Sequence, residues 1–199
     1  MSIYIILGGI NAETFRNRKG YFSLNVLTIC DSELKIRDIV ARWPGSSHDQ
    51  TIFNNIYIKA RFDSREFGHN ALVGDSGFAG SPYLIIPLRN PVAPYEQLYR
   101  EALVHTRNVV ERSYGVLKRR FPILAKGIAM NIDRIQAIVV ACAVLHNIAI
   151  EANETLPDDE VENIDHLVAE GDVMLPQQNN NYGLILEQYL NYFRGVNNN

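Results

Sequence analysis

Three acidic residues have side chains and spacings that could do chemistry. Asp75 ends the apolar string Ala71-Leu72-Val73-Gly74 and precedes Ser76-Gly77. A carboxylate at the C-terminal end of a buried strand faces the crevice where ligands bind in α/β sheets. Glu111 lies in NVVERSYG, with 35 residues between it and Asp75. On helical geometry its neighbours are Arg107, Asn108 and Tyr114. Asp49 closes the string WPGSSHD. Carboxylates brought together from separate elements repel and titrate upward unless a cation holds them ionised. Mg²⁺ prefers hard oxygen ligands and keeps several waters, so a few carboxylates suffice. Two such cations about 4 Å apart can activate a water and stabilise a leaving oxygen. Each acid also has a plain structural reading. Asp75 can be a turn residue, Glu111 a surface acid paired with Arg107 or Lys118, and Asp49 a first-turn helix acid.

The elements that must position these acids are legible in outline. Tyr21–Cys30 alternates and is rich in β-formers, and Leu34–Trp43 alternates less strictly. The short link Asp31-Ser32-Glu33 makes them an antiparallel hairpin. Pro44 and Gly45 end the pattern, and Ser46, Ser47 or Asp49 could cap a helix carrying Ile52, Phe53, Ile56, Ile58 and Phe62. Ala71–Gly74 and Tyr83–Leu88 read as two short buried strands. From Tyr95 to Phe121 apolar residues recur at helical spacing, most clearly Val109, Val110, Tyr114 and Leu117. Asp133–Ala152 is apolar almost all round and is expected to be a buried helix, with a further helix over Tyr182–Phe193. Strands first and long helices after give a mixed α/β domain. The division expected is a domain over 1–152 and an acidic, Asn-rich extension over 153–199.

Composition agrees with a globular chain: 199 residues, 47% hydrophobic and 21% charged. The longest uninterrupted apolar run, Ala137–Leu145, is shorter than a membrane span. The opening MSIYIILGGINAE lacks the basic stretch and cleavage site of a signal peptide. Cys30 and Cys142 sit in apolar strings and read as reduced core residues of an intracellular protein. The net charge of −3 hides an asymmetry: residues 1–150 carry +6 and residues 151–199 carry −9. A basic body with an acidic tail suits a nucleic-acid-binding domain. Arg107, Arg112, Lys118, Arg119 and Arg120 surround the Glu111 helix and could contact backbone phosphates, or form a solvated face. His48, beside Asp49, could assist proton transfer or merely start a helix. His146 in VLHNI is expected to be a hydrogen-bonded core histidine, and Trp43 a packing anchor for the turn that presents Asp49.

Five ordered motifs carry a resemblance: NRKGYFSLN, IVARWPGSSHDQTIF, LVGDSGFAGSPYLIIPL, HTRNVVERSYGVLKRRFPIL and AIVVACAVLHNIA. Together, from about Asn11 to Ala152, they resemble the Harbinger transposase-derived nuclease family, the DDE domain of PIF/Harbinger elements and their host-domesticated relatives. The resemblance implies an α/β, RNase H-like mixed sheet with flanking helices, a Mg²⁺ or Mn²⁺ cofactor and hydrolysis of DNA phosphodiester bonds. It assigns the catalytic and metal-holding roles to Asp49, Asp75 and Glu111. It further implies work in the nucleus or also the cytoplasm, with a Myb-like partner protein supplying sequence-specific DNA recognition. The family's first acid stands in a short strand motif upstream of NRKG. No Asp precedes Asn17 here, and by spacing that acid would fall about three residues before Met1. A helical region that precedes the domain in such proteins is also absent from the sequence. The expectation is therefore an N-terminally truncated nuclease domain with its first strand missing or partial and a raw sheet edge. The alternative is an inactive relative that binds DNA or a partner protein.

Overall fold

The expected hairpin forms. In the computed structural model, which describes residues 1–6, 12–154 and 180–197, strand β2 (Ser23–Cys30) pairs antiparallel with β3 (Ile36–Pro44). Asp31 shapes the turn between them, its Oδ1 accepting from the amides of Glu33 and Lys35 at 2.9 and 3.1 Å. Leu34 takes a positive φ of 68° there. Such a conformation is costly for a branched side chain. Two contacts from a distant helix hold the turn and the start of β3. His146 Nε2 donates to the Leu34 carbonyl at 3.0 Å, and the Asn147 amide exchanges two 2.8 Å bonds with the backbone of Ile36.

A short first strand is present. β1 (Ser2–Tyr4) pairs antiparallel with β2, with Ser2 opposite Asn25. Its outer edge is not raw: Ile6 donates to the Ile128 carbonyl at 2.9 Å, and Ile128 donates to that of Tyr4 at 3.2 Å. That departs from the expected bare edge, because Ile128, far away in the sequence, supplies the missing pairing. A 3₁₀ turn (Ala12–Phe15) precedes β2.

After β3 come two short helices, α1 (Asp49–Asn54) and α2 (Tyr57–Asp63), where one was expected. None of Ser46, Ser47 or Asp49 caps α1; the N-cap is His48, without a side-chain cap bond. Burial of Ile52, Phe53 and Ile56 supplies what the cap does not. β4 (Leu72–Val73) and β5 (Leu84–Ile85) pair in parallel. Then follow α3 (Pro94–Arg120), the short α4 (Ile123–Lys126), α5 (Ile132–Glu151) and α6 (Asn180–Asn197). Pro94 suits the first turn of α3, where its missing N–H costs nothing. Glu96 reaches back to accept from the amides of Val92 and Ala93 at 2.7 and 3.0 Å.

The chain divides into two compact units, one of Met1–Ile56 and Val109–Val161, the other of Tyr57–Asn108 and Glu162–Asn199. The first has its core between the three-stranded sheet and the helices, with Ile3, Leu24, Val26, Leu117, Ile135 and Val139 fully buried. In the second, Ile85, Tyr99 and Leu190 form a core joined by Leu186 and Phe193. Helix α6 is therefore built into that unit, and these boundaries cut across the division at residue 152. The acidic stretch 155–179 of the expected extension lies outside the described residues.

Helix α5 departs from its expected all-round burial. Ile135, Val139, Cys142, Ala143, His146 and Ala149 face the sheet, while Val140, Val144, Leu145 and Ile148 are 40–54% exposed. A helix on one face of a sheet covers only the stripe that faces it. By length and composition, Ile132–Glu151 is also apolar enough to cross a membrane, although its longest unbroken apolar run is short. Its other face nonetheless packs on β3.

Candidate active site

Asp49 is placed by the loop that follows β3. Gly45 lies over β2 with its amide donating to the Ser23 carbonyl at 2.7 Å, and a Cβ there would collide with the Ser23 side chain. Only glycine permits so close an approach. Ser47 then donates to the Pro44 carbonyl at 2.9 Å, closing the turn. Asn25 of β2 reaches across and fixes the result. Its Nδ2 donates to the Ser47 carbonyl at 3.0 Å and to Asp49 Oδ1 at 2.8 Å. Asn25 stands next to a bulge in the β2–β3 ladder, a device that re-aims side chains beside sites. One Asp49 oxygen is thus committed to Asn25; for the other, no hydrogen bond is found among the described residues.

Glu111 sits half-buried in the second half of α3. That half is pinned to the first unit's sheet and core by side chains within the next two turns. Thr28 donates to the Tyr114 hydroxyl at 2.6 Å, Ser113 is fully buried, and Leu117 is fully buried in the core. The Tyr114 phenol is pushed up to about 12, first by burial and then by the nearby Cys30 and Asp49, against the opposing Thr28 bond. Burial likewise raises the Cys30 thiol, with a Ser113 hydrogen bond acting against it. A thiol so placed is a poor nucleophile.

Asp75 belongs to the other unit, at the end of β4 as its sequence position suggests. Its Oδ1 accepts from the Gly77 amide at 2.7 Å, and its carbonyl accepts from Phe78 at 3.2 Å. The turn role and the strand-end position therefore coexist. Arg89 donates to the neighbouring Ser76 carbonyl at 3.0 Å.

The basic residues divide. Arg112 and Arg119 are exposed, Lys118 and Arg107 half-buried. Arg120 is engaged with backbone, donating to the carbonyls of His146 and Glu154 at 3.5 and 3.3 Å, and so ties the end of α3 to that of α5. His48 is exposed and hydrogen-bonded by the Arg18 guanidinium at 2.6 Å, a contact the sequence did not suggest. His146 is the expected core histidine, fully buried, with burial lowering its pKa. Trp43 is half-buried, its Nε1 enclosed and without a hydrogen-bond partner among the described residues. Cys30 and Cys142 are free thiols. Neither Asn25 nor Thr28 stands out in the sequence as a site residue. The available signal for Asn25 was a lone amide interrupting the apolar run of YFSLNVL.

The donor set offers hard carboxylate oxygens, which suit Mg²⁺ or Mn²⁺ better than softer metals. Among the described residues, however, no three His, Cys, Asp or Glu side chains come together as a ready cation cage.

Comparison with known proteins gives a consistent answer. The family model described as DDE superfamily endonuclease matches residues 8–147. A human protein named "Putative nuclease HARBI1" is 31% identical over 187 residues, covering 85% of this chain and 54% of the relative. Its Bos taurus counterpart of the same name is 30% identical over the same length and shares. "Protein ALP1-like" of Arabidopsis thaliana is 25% identical over 159 residues, 70% of this chain and 38% of the relative. The chain thus spans about half the length of the HARBI1 relatives, and no solved structure matches it.

Proposed function

Because the chain belongs to the DDE superfamily endonuclease family, we propose that it is a transposase-derived nuclease domain that hydrolyses DNA phosphodiester bonds. DDE endonucleases generally use divalent metals. In this reading Asp49, Asp75 and Glu111 supply the oxygen ligands of a Mg²⁺ or Mn²⁺ ion, which when bound provides Lewis-acid assistance to phosphodiester hydrolysis. Asn25 holds the Asp49 carboxylate in one orientation, as outer partners of metal ligands do. Arg107, Arg112, Lys118 and Arg119 lie close in sequence to Glu111 and supply phosphate contacts. The domain acts in the nucleus, with a Myb-like partner providing sequence recognition.

The observation that carries this reading is the Asn25–Asp49 contact. A carboxylate with one oxygen fixed from the sheet and the other uncommitted is poised for a ligand rather than for a helix cap. Nicking of supercoiled plasmid in millimolar Mn²⁺ tests it. Wild type should nick and Asp75→Asn should not. Equal nicking by both, or none by wild type, would overturn the reading.

A second reading, a chain that binds DNA without cutting it, is favoured by the absence of a three-acid cage among the described residues. In that case wild type and Asp75→Asn bind DNA equally and neither nicks it.

A further inference from the structure

The second unit contains a cleft that none of the three acids occupies. It has a volume of about 740 Å³, within the range of ligand-sized sites. One wall is a single stripe of α3. Gln97, Arg100, Glu101, Val104, His105 and Asn108 recur at i, i+3, i+4, i+7, i+8 and i+11, the spacing that puts side chains on one helix face. The stripe is about 16 Å long at the helical rise. The other wall is the loop Arg89–Val92, whose Val92 is 86% exposed at the rim.

This face is not what the fold needs from α3. The buried side of the same segment is carried by Tyr99, whose hydroxyl donates to the Ile86 carbonyl at 3.0 Å. Arg100, by contrast, is exposed and has no hydrogen-bond or ion-pair partner among the described residues. Arg89 is anchored, through its 3.0 Å bond to the Ser76 carbonyl, beside the loop that carries Asp75.

We propose that this cleft seats a single DNA strand next to the Asp75 loop, one nucleotide's phosphate on Arg100 and Arg89 and its base among the amides. The chemistry selects a nucleotide over a plain polyanion. Gln97, Asn90 and Asn108 each offer a donor and an acceptor to a base edge. Glu101, in the same wall, repels a run of carboxylates but accepts from the exocyclic amine of a base. Pro91, Val92 and Val104 give the sugar and base faces an apolar surface. The inference rests on the reading that the domain acts on DNA, and it adds a strand-seating site to it.

Fluorescence anisotropy of the full chain with a labelled, mixed-sequence single-stranded oligonucleotide, in EDTA so that nothing is cut, tests it. Arg100→Glu should weaken binding tenfold or more and lower the salt-dependence slope by about 0.7, one phosphate's share on a single strand. Arg100→Lys should keep most of the affinity. Circular dichroism should show both variants folded as wild type. Affinity within twofold of wild type for folded Arg100→Glu overturns the site, as does wild type that fails to bind. So does displacement of the oligonucleotide by poly-glutamate at equal charge, which would make the occupant an acidic protein segment. The two readings fail separately. If Asp75→Asn abolishes nicking while Arg100→Glu leaves binding unchanged, the cleft is wrong and the nuclease stands. If wild type never nicks but Arg100→Glu loses binding, the nuclease is wrong and the cleft stands.

Discussion

The two halves of α3 are adjacent in sequence and built to different ends. Val109–Arg120 turns Ser113 and Leu117 fully inward, bonds Tyr114 to the sheet, and spends Arg120 on backbone carbonyls. Pro94–Asn108 buries Tyr99 but leaves a polar stripe from Gln97 to Asn108 outward, with Arg100 unpartnered among the described residues. The contrast teaches where stability and recognition are separated. The second half, anchored by Ser113, Tyr114, Leu117 and Arg120, fixes the position of Glu111, whereas the outward stripe of the first half, with Arg100 unpartnered among the described residues, is available to a ligand. Side chains that hold a fold have their bonds made, and those that bind keep theirs for the partner.

Substitutions in the two halves should therefore act on different observables. The largest effect on stability is expected from Leu117→Ala, which empties a fully buried position and should cost about 2–5 kcal/mol in urea unfolding. Gln97→Ala, in the outward stripe, should stay within about 0.5 kcal/mol of wild type. A comparable loss from both would erase the distinction between the halves.

Next in size is a pH effect in the unit that the second half of α3 completes. Burial depresses the His146 pKa, against the Leu34 hydrogen bond that favours the charged ring. The unfolded chain then binds a proton that the folded chain resists. The stabilisation is complete above the ordinary histidine pKa of about 6.5 and is lost as pH falls through and below it. Urea midpoints should drop between pH 7.5 and pH 5, and the drop should shrink in His146→Gln, which retains an amide donor for Leu34. Parallel pH profiles for the two proteins would remove His146 from the account. The smallest expected effect is that of Tyr114→Phe, which deletes one hydrogen bond to Thr28 and should cost about 1 kcal/mol. If that change also reduced plasmid nicking beyond the stability loss, Tyr114 would be positioning Glu111 as well as anchoring the helix.

Much of this architecture is legible along the chain. The β2–β3 hairpin follows from alternation across Tyr21–Cys30 and the polar turn at Asp31, and α3 from the apolar spacing around Val110 and Leu117. Other features are not. The single helix expected after Asp49 breaks at Asn55 into two, where Asn55 closes the first by donating from its amide to the Ile52 carbonyl at 3.0 Å and from its side chain to the Thr51 carbonyl at 2.8 Å. Helix α5 reads as buried all round because composition reports how apolar a segment is, not how many of its faces meet a partner. Asp49 looks like a helix-start acid until Asn25, 24 residues earlier, is seen to hold it.

By itself the sequence determined the element types, the strand-end position of Asp75, the helical position of Glu111 and the family to which five ordered motifs point. Those depend on neighbours within a few residues, where periodicity and turn chemistry act. Tertiary structure decided which oxygen of Asp49 is committed, which face of α5 is covered, how Ile128 closes the edge of β1, and where α3 opens into a cleft. The first three join residues far apart in the chain, and the cleft sets a loop against the helix that follows it. Their contacts are selected by burial and by satisfaction of polar groups in the folded molecule, which no local pattern encodes.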